Sequence, residues 1–171
     1  MMGPPEIKAL HPMGKSPMLE DGGQLIFESG AIADYLLTRY GKGRLMPDLH
    51  TPDYMRYVEL LYFAVSAGMN PIMMAMHSRA LGPVDGDPYA NAELARALAY
   101  IESKLEPGPW LLGEMFTAAD IQLSFVGELA NYLGSLAEYP RIIDWLTRGS
   151  ARPAFQRTIA KGGDYAWAVS G

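Results

Sequence analysis

The chain has 171 residues, 49% hydrophobic and 19% charged, with a net charge of −5. This is the composition of a folded chain, one domain or two small ones, and its acidic balance argues against a nucleic-acid partner. The absence of cysteine excludes disulfides and thiolate metal sites, and no run of about 18 apolar residues reads as a membrane span.

The first residues carry neither a basic leader nor an apolar stretch of signal-peptide length, so the reading is a soluble, cytoplasmic protein. Pro4-Pro5-Glu6-Ile7-Lys8-Ala9-Leu10 favours a short helix, with proline tolerated in its first turn. His11-Pro12 ends it, because the residue before proline is pushed out of the helical region. His11 is either an ordinary loop histidine or a ligand contact. Lys15 is either a solvated lysine or a cation that attracts a ligand carboxylate. Ser16-Pro17 leads into a short apolar run, Met18-Leu19, and Asp21-Gly22-Gly23 makes a turn. Leu25-Ile26-Phe27 follows, so the segment reads as a hairpin. A helix then opens at Ser29, whose hydroxyl is expected to cap it. Free amides and the positive end of the helix dipole make a carboxylate site there. Ala31, Ile32, Tyr35, Leu36 and Tyr40 are spaced as one apolar face, and Gly41-Lys42-Gly43 terminates the helix.

Leu45 to Leu49 reads as a linker, placing a domain boundary near residue 47: 1–46 mixed, 47–171 helical. Thr51-Pro52-Asp53 starts a long helix to about Arg79. Asn70-Pro71 is expected to kink it or divide it. Tyr62, Met69 and Met73 on this run are either core or the wall of an apolar pocket. Leu81 to Gly86 is a loop, and Asp87-Pro88 caps a helix whose buried face is Leu94, Leu98, Ile101 and Leu105. Thr117 and Asp120 have the spacing of a capping box, with Phe116 and Ile121 placed to form a hydrophobic staple. The helix after Thr117 is apolar nearly all round and so belongs in the core. Tyr139-Pro140 begins a helix with Ile142, Ile143, Trp145 and Leu146 turned inward, and Arg152-Pro153 begins the last. The tail, with Tyr165 and Trp167, either folds back over the pocket or hangs loose.

His11-Pro12-Met13-Gly14-Lys15-Ser16-Pro17 and Glu28-Ser29-Gly30-Ala31-Ile32-Ala33-Asp34-Tyr35-Leu36 together resemble the cytosolic glutathione S-transferase family, and the resemblance runs over nearly the whole chain. It implies an α+β, mostly α fold: a partial thioredoxin-like domain of hairpin plus helix, then an all-α domain. It further implies that Pro17 is cis and that the Ser16 backbone pairs with the cysteinyl part of glutathione. Glu28 and Ser29 would hold the γ-glutamyl end, with Lys15 beside them. Tyr62, Met69 and Met73 would face an apolar electrophile. Asp120 is implied to be a folding element rather than a catalytic one. The family's opening strand, helix and strand, which carry its activating residue, have no counterpart here, so no catalytic residue is assigned. The implied activity is conjugation of glutathione thiolate to an electrophile by a homodimer without metal. The alternative is a non-catalytic interaction module of the same fold. The first strand is expected to be a bare edge, and the first 45 or so residues the less stable part.

Overall fold

The computed structural model describes residues 5–82, 87–163, 165 and 167. Pro4, the loop residues Pro83 to Gly86 and most of the expected tail lie outside them. The chain divides into two compact units, Met1–Arg44 and Leu45–Gly171.

The first unit holds helix α1 (Pro5–Leu10), strands β1 (Met18–Asp21) and β2 (Gln24–Phe27), and helix α2 (Ser29–Tyr40). The strands pair antiparallel around Gly22 and Gly23, whose φ values of 59° and 80° suit glycine. Among the described residues the sheet has these two strands. The apolar face expected on α2 is not a buried one. Ile32, Ala33, Tyr35 and Leu37 are half-buried, while Ala31, Leu36 and Tyr40 are exposed, because a two-stranded hairpin is too narrow to cover a helix face.

The second unit contains α3 (Pro52–Phe63), a π-turn (Ala64–Gly68), α4 (Met69–Leu81), α5 (Pro88–Lys104), α6 (Ala118–Tyr132), α7 (Pro140–Ser150) and α8 (Pro153–Gly162). The long helix is thus divided, but by a widened turn just before Asn70-Pro71 rather than by a break. Pro71 offers no N–H, and its ring would press on the carbonyl of Ala67; a π-turn there gives it room. By length and composition the whole run Pro52–Leu81, with a mean hydropathy of 1.3 over its most apolar window, is long and apolar enough to cross a membrane. This differs from the sequence expectation. In the fold the run packs on α5 and α6 and buries Tyr57, Leu60, Ile72 and Ala75, which is how a core helix uses such composition.

Asp87 caps α5 by accepting from the Tyr89 amide at 2.7 Å, and Leu94, Leu98, Ile101 and Leu105 are buried as their spacing requires. The N-terminus of α7 is capped from a distance: Glu102 of α5 accepts from the amides of Arg141 (3.1 Å) and Ile142 (3.0 Å). Ile142, Trp145 and Leu146 point inward as expected, but Ile143 is exposed, being one residue off the buried stripe.

The Thr117–Asp120 capping box is present. Asp120 does more than close it. Its Oδ2 accepts from the Thr117 amide (2.8 Å) and hydroxyl (3.2 Å), and its Oδ1 accepts from the Leu111 amide and the Trp145 indole, both at 3.0 Å. The carboxylate is 2% exposed. The Ala118 amide, an orphan donor of the first turn, is taken by the Leu45 carbonyl at 2.8 Å. Phe116, placed for the expected staple, has further partners. Its ring meets Trp110 edge-on at 4.7 Å and lies under the Arg152 guanidinium at 3.6 Å, while Ile121 is 52% exposed.

Among the described residues, the buried hydrophobic side chains of the core, from Tyr57 to Leu146, lie in the second unit. Native-state hydrogen exchange is therefore expected to show the amides of β1, β2 and α2 opening at lower free energy than those of α5 and α6; equal protection would contradict this. Asp120→Ala strands four donors at once. It is expected to lower unfolding stability by about 3 kcal/mol, beyond the roughly 1 kcal/mol of a lost cap alone, in a urea titration.

Candidate functional site

The hairpin register decides what comes together in the first unit. Met18 pairs with Phe27, and Asp21 with Gln24. Ser16-Pro17 enters β1 and Glu28-Ser29 leaves β2 at the same end of the hairpin, the end away from the glycine turn. The Ser16–Pro17 peptide bond is cis. The approach to it is a tight loop: the Gly14 amide donates to the His11 carbonyl at 2.9 Å, and Gly14 has φ of 57°. His11 is engaged in packing. Its ring stacks on Phe27 with centroids 3.9 Å apart, and its Nδ1 accepts from the Met13 amide at 3.4 Å.

Helix α2 begins at this end of the hairpin. The capping position is Glu28, not Ser29; Ser29 is the first helical residue. The Glu28 carbonyl receives the Ile32 amide at 2.9 Å, while its side chain makes no capping hydrogen bond. Its φ of 69° and ψ of 124° are sparsely populated for any residue with a Cβ. A strained residue held at a strand-to-helix junction costs about 1–3 kcal/mol and tends to mark a binding site. Lys15, Ser16, Pro17 and Glu28 are exposed and Ser29 is half-buried, so the group is accessible at the amide end of a 12-residue helix. That end attracts carboxylates.

The far half of α2 is fastened to the hairpin turn by contacts that the spacing of Tyr35 and Tyr40 did not disclose. Tyr35 donates to Asp21 Oδ2 at 3.0 Å, and the Tyr40 phenol donates to the same oxygen. Arg39 lies 5.8 Å from the Tyr35 ring centre and 6.0 Å from that of Tyr40. The hydrogen bonds from Tyr40 and Tyr35, with a smaller contribution from the Arg39 charge, hold the Asp21 carboxyl below its ordinary value. One carboxylate thus fixes the pitch of the helix against the strands, and with it the position of the helix start beside Ser16-Pro17.

In the second unit, Met69 and Met73 lie one turn apart on α4, half-buried and 44% exposed. Tyr62, near the end of α3, is 70% exposed, and its carbonyl accepts from the Ser66 hydroxyl within the π-turn at 2.6 Å. Val65, in the π-turn between Tyr62 and Met69, is 45% exposed.

Comparison with known proteins gives a consistent result. Residues 2–44 match the family described as glutathione S-transferase, N-terminal domain, and residues 64–148 match glutathione S-transferase, C-terminal domain. Glutathione S-transferase 3 of Schizosaccharomyces pombe is 30% identical over 169 residues, covering 88% of this chain and 69% of its own. A glutathione S-transferase of Actinobacillus pleuropneumoniae has a solved structure similar to this one, with a TM-score of 0.85 and 32% identity over 98% of this chain and 79% of that chain. A glutathione transferase homologue from Sulfitobacter, solved with bound glutathione, aligns with a TM-score of 0.76 and 26% identity over 93% of this chain and 79% of that one. The hairpin with its helix and the helical unit correspond to the thioredoxin-like and all-α parts of that fold.

The positive φ at Glu28 makes a measurable difference between two truncations. Glu28→Gly relieves the backbone and Glu28→Ala does not, so the glycine variant is expected to protect the α2 amides by about 1 kcal/mol more in hydrogen exchange. Equal protection would mean that no strain resides there.

Proposed function

Because the chain belongs to the glutathione S-transferase family, we propose that it binds reduced glutathione and conjugates the glutathione thiolate to an electrophilic small molecule. The observation that carries the reading is the hairpin register, which puts Ser16, Pro17, Glu28 and Ser29 at one end of the strands beside the start of α2. Glutathione is a peptide with two carboxylates. In this reading the γ-glutamyl end lies at Glu28 and Ser29, where the amides and dipole of α2 meet its carboxylate and the Glu28 side chain is available to its ammonium group. The Ser16 backbone, held out by the turn at Pro17, takes the cysteinyl peptide group in strand-like pairing. Lys15 supplies a cation for a carboxylate. The nucleophile is the ligand's own sulfur, which reacts as thiolate; it attacks the electrophilic carbon and displaces a leaving group or adds to the carbon. No side chain of this chain is assigned to lowering the thiol pKa.

The accessible apolar side chains of Tyr62, Met69 and Met73 support an apolar second substrate, methionine being suited to loosely specified partners. A cytoplasmic homodimer, with 1–46 as the glutathione-binding domain and 47–171 as the helical one, completes the proposal.

Calorimetric titration of reduced glutathione into the chain tests it. Saturable binding is expected, weakened at least tenfold in Ser29→Ala and in Glu28→Ala, together with turnover of 1-chloro-2,4-dinitrobenzene. Binding without turnover would limit the proposal to a glutathione-binding domain. No binding by a folded chain would overturn it in favour of an interaction module.

A further inference from the structure

The helical unit has an open cavity of about 380 Å³ between α6, the end of α7 and α8. Its floor is one face of α6: Asp120, Ile121, Ser124, Phe125 and Glu128 follow the i, i+1, i+4, i+5, i+8 spacing of a single helix side. Aromatic rings make the walls, with Trp110, Phe116, Trp145 and Phe155 joining Phe125.

Two carboxylates line this face, eight residues or about 12 Å apart along the helix. They are in opposite conditions. Asp120 accepts the four hydrogen bonds described above, filling its acceptor capacity. Glu128 is 6% exposed, yet among the described residues its carboxylate accepts a single hydrogen bond, from the Tyr165 phenol to Oε2, and has no ion-pair partner. Burial raises the Glu128 acid above its ordinary value against the lowering effect of that bond, and burial likewise raises Tyr165. The remaining acceptor capacity of Glu128 faces the cavity. Arginines stand at the opposite end. Arg152 lies over Phe116 at 3.6 Å and over Trp110 at 5.5 Å, and Arg148 lies 5.7 Å from the Trp110 ring centre. The two ends of the cavity therefore differ: the under-satisfied Glu128 carboxylate stands at one, and at the other two arginines stand near the fully engaged Asp120, with aromatic faces between.

We propose that this cavity is a binding site for a small arylalkylamine, its ammonium group on Glu128 and its ring among Phe125, Trp145 and Phe116. An ammonium brings three donors and the opposite charge to the one carboxylate of the cavity able to use them, and ring faces favour a cation beside them. The arginines at the far end orient the ligand, repelling an ammonium placed there. The site lies within the helical unit and does not depend on glutathione binding.

The probe is phenethylamine, titrated into the full chain at neutral pH and followed by the fluorescence of Trp110 and Trp145 and by calorimetry. The controls are 2-phenylethanol, with the same ring and no charge, and phenylacetate, with the opposite charge. Saturable amine binding is expected, with the alcohol at least tenfold weaker and phenylacetate unbound. Glu128→Gln keeps the side-chain shape and the acceptor for Tyr165; it is expected to weaken amine binding at least tenfold and leave the alcohol unchanged. Should Glu128→Gln fail to fold, Tyr165→Phe serves instead: it frees Glu128 of its competing donor and is expected to bind the amine at least as tightly as the native chain. Equal affinity for amine and alcohol, amine binding indifferent to Glu128→Gln, a loss of amine binding in a folded Tyr165→Phe chain, or no binding at all would overturn the proposal.

Discussion

The carboxylate of Asp120 is the one group to which three parts of the helical unit all donate. The loop at Leu111, the cap at Thr117 and the indole of Trp145 on α7 all donate to it, and no water competes at a side chain 2% exposed. Each of those donors would otherwise be buried and unpaired. The consequence is geometric as well as energetic. The start of α6 is fixed, α7 is fixed against it through Trp145, and Leu45 is fixed through its carbonyl on the Ala118 amide. The cavity walls supplied by α6, α7 and Leu45 take their positions in part from that one group, while α8 adds its own.

A smaller arrangement of the same kind governs the first unit. Asp21 collects two tyrosine phenols from α2 and so sets where the helix lies along the hairpin. In each unit a buried or half-buried carboxylate holds the frame while a different, accessible group faces solvent.

What the amino-acid sequence disclosed was whatever is local in the chain. The Thr117–Asp120 box, the Asp87 cap, the glycine turn and the buried stripe of α5 depend on neighbours within a few residues, and all were readable from spacing. The order of parts around Ser16-Pro17 and Glu28-Ser29 was readable too, and through it the family. Partners distant in sequence were not. Glu102 capping α7 and Trp145 meeting Asp120 join positions 25 to 40 residues apart, and no periodicity encodes such pairs. The helix begins at Ser29 as read, and the cap, which falls on Glu28 rather than Ser29, was missed for another cause. A glutamate at positive φ is an exception to the rule by which starts are recognised, and so it could not be read from residue preference. Tyr35 and Tyr40 were misjudged because a tyrosine has both an apolar ring and a polar tip, and spacing weighs only the ring.

The π-turn at Ala64–Gly68 has a bearing on how this chain tolerates change. A π-turn holds one residue more than an α-turn, so it takes up an extra residue without rotating the helix on either side. Tyr57 and Leu60 before it, and Ile72 and Ala75 after it, keep the same facing despite the insertion. Anywhere else in the run Pro52–Leu81, adding or removing one residue would swing everything beyond it by about 100° and carry core side chains to the surface. The longest rigid element of the molecule therefore has one expansion joint, and its length and its facing are independent variables only there.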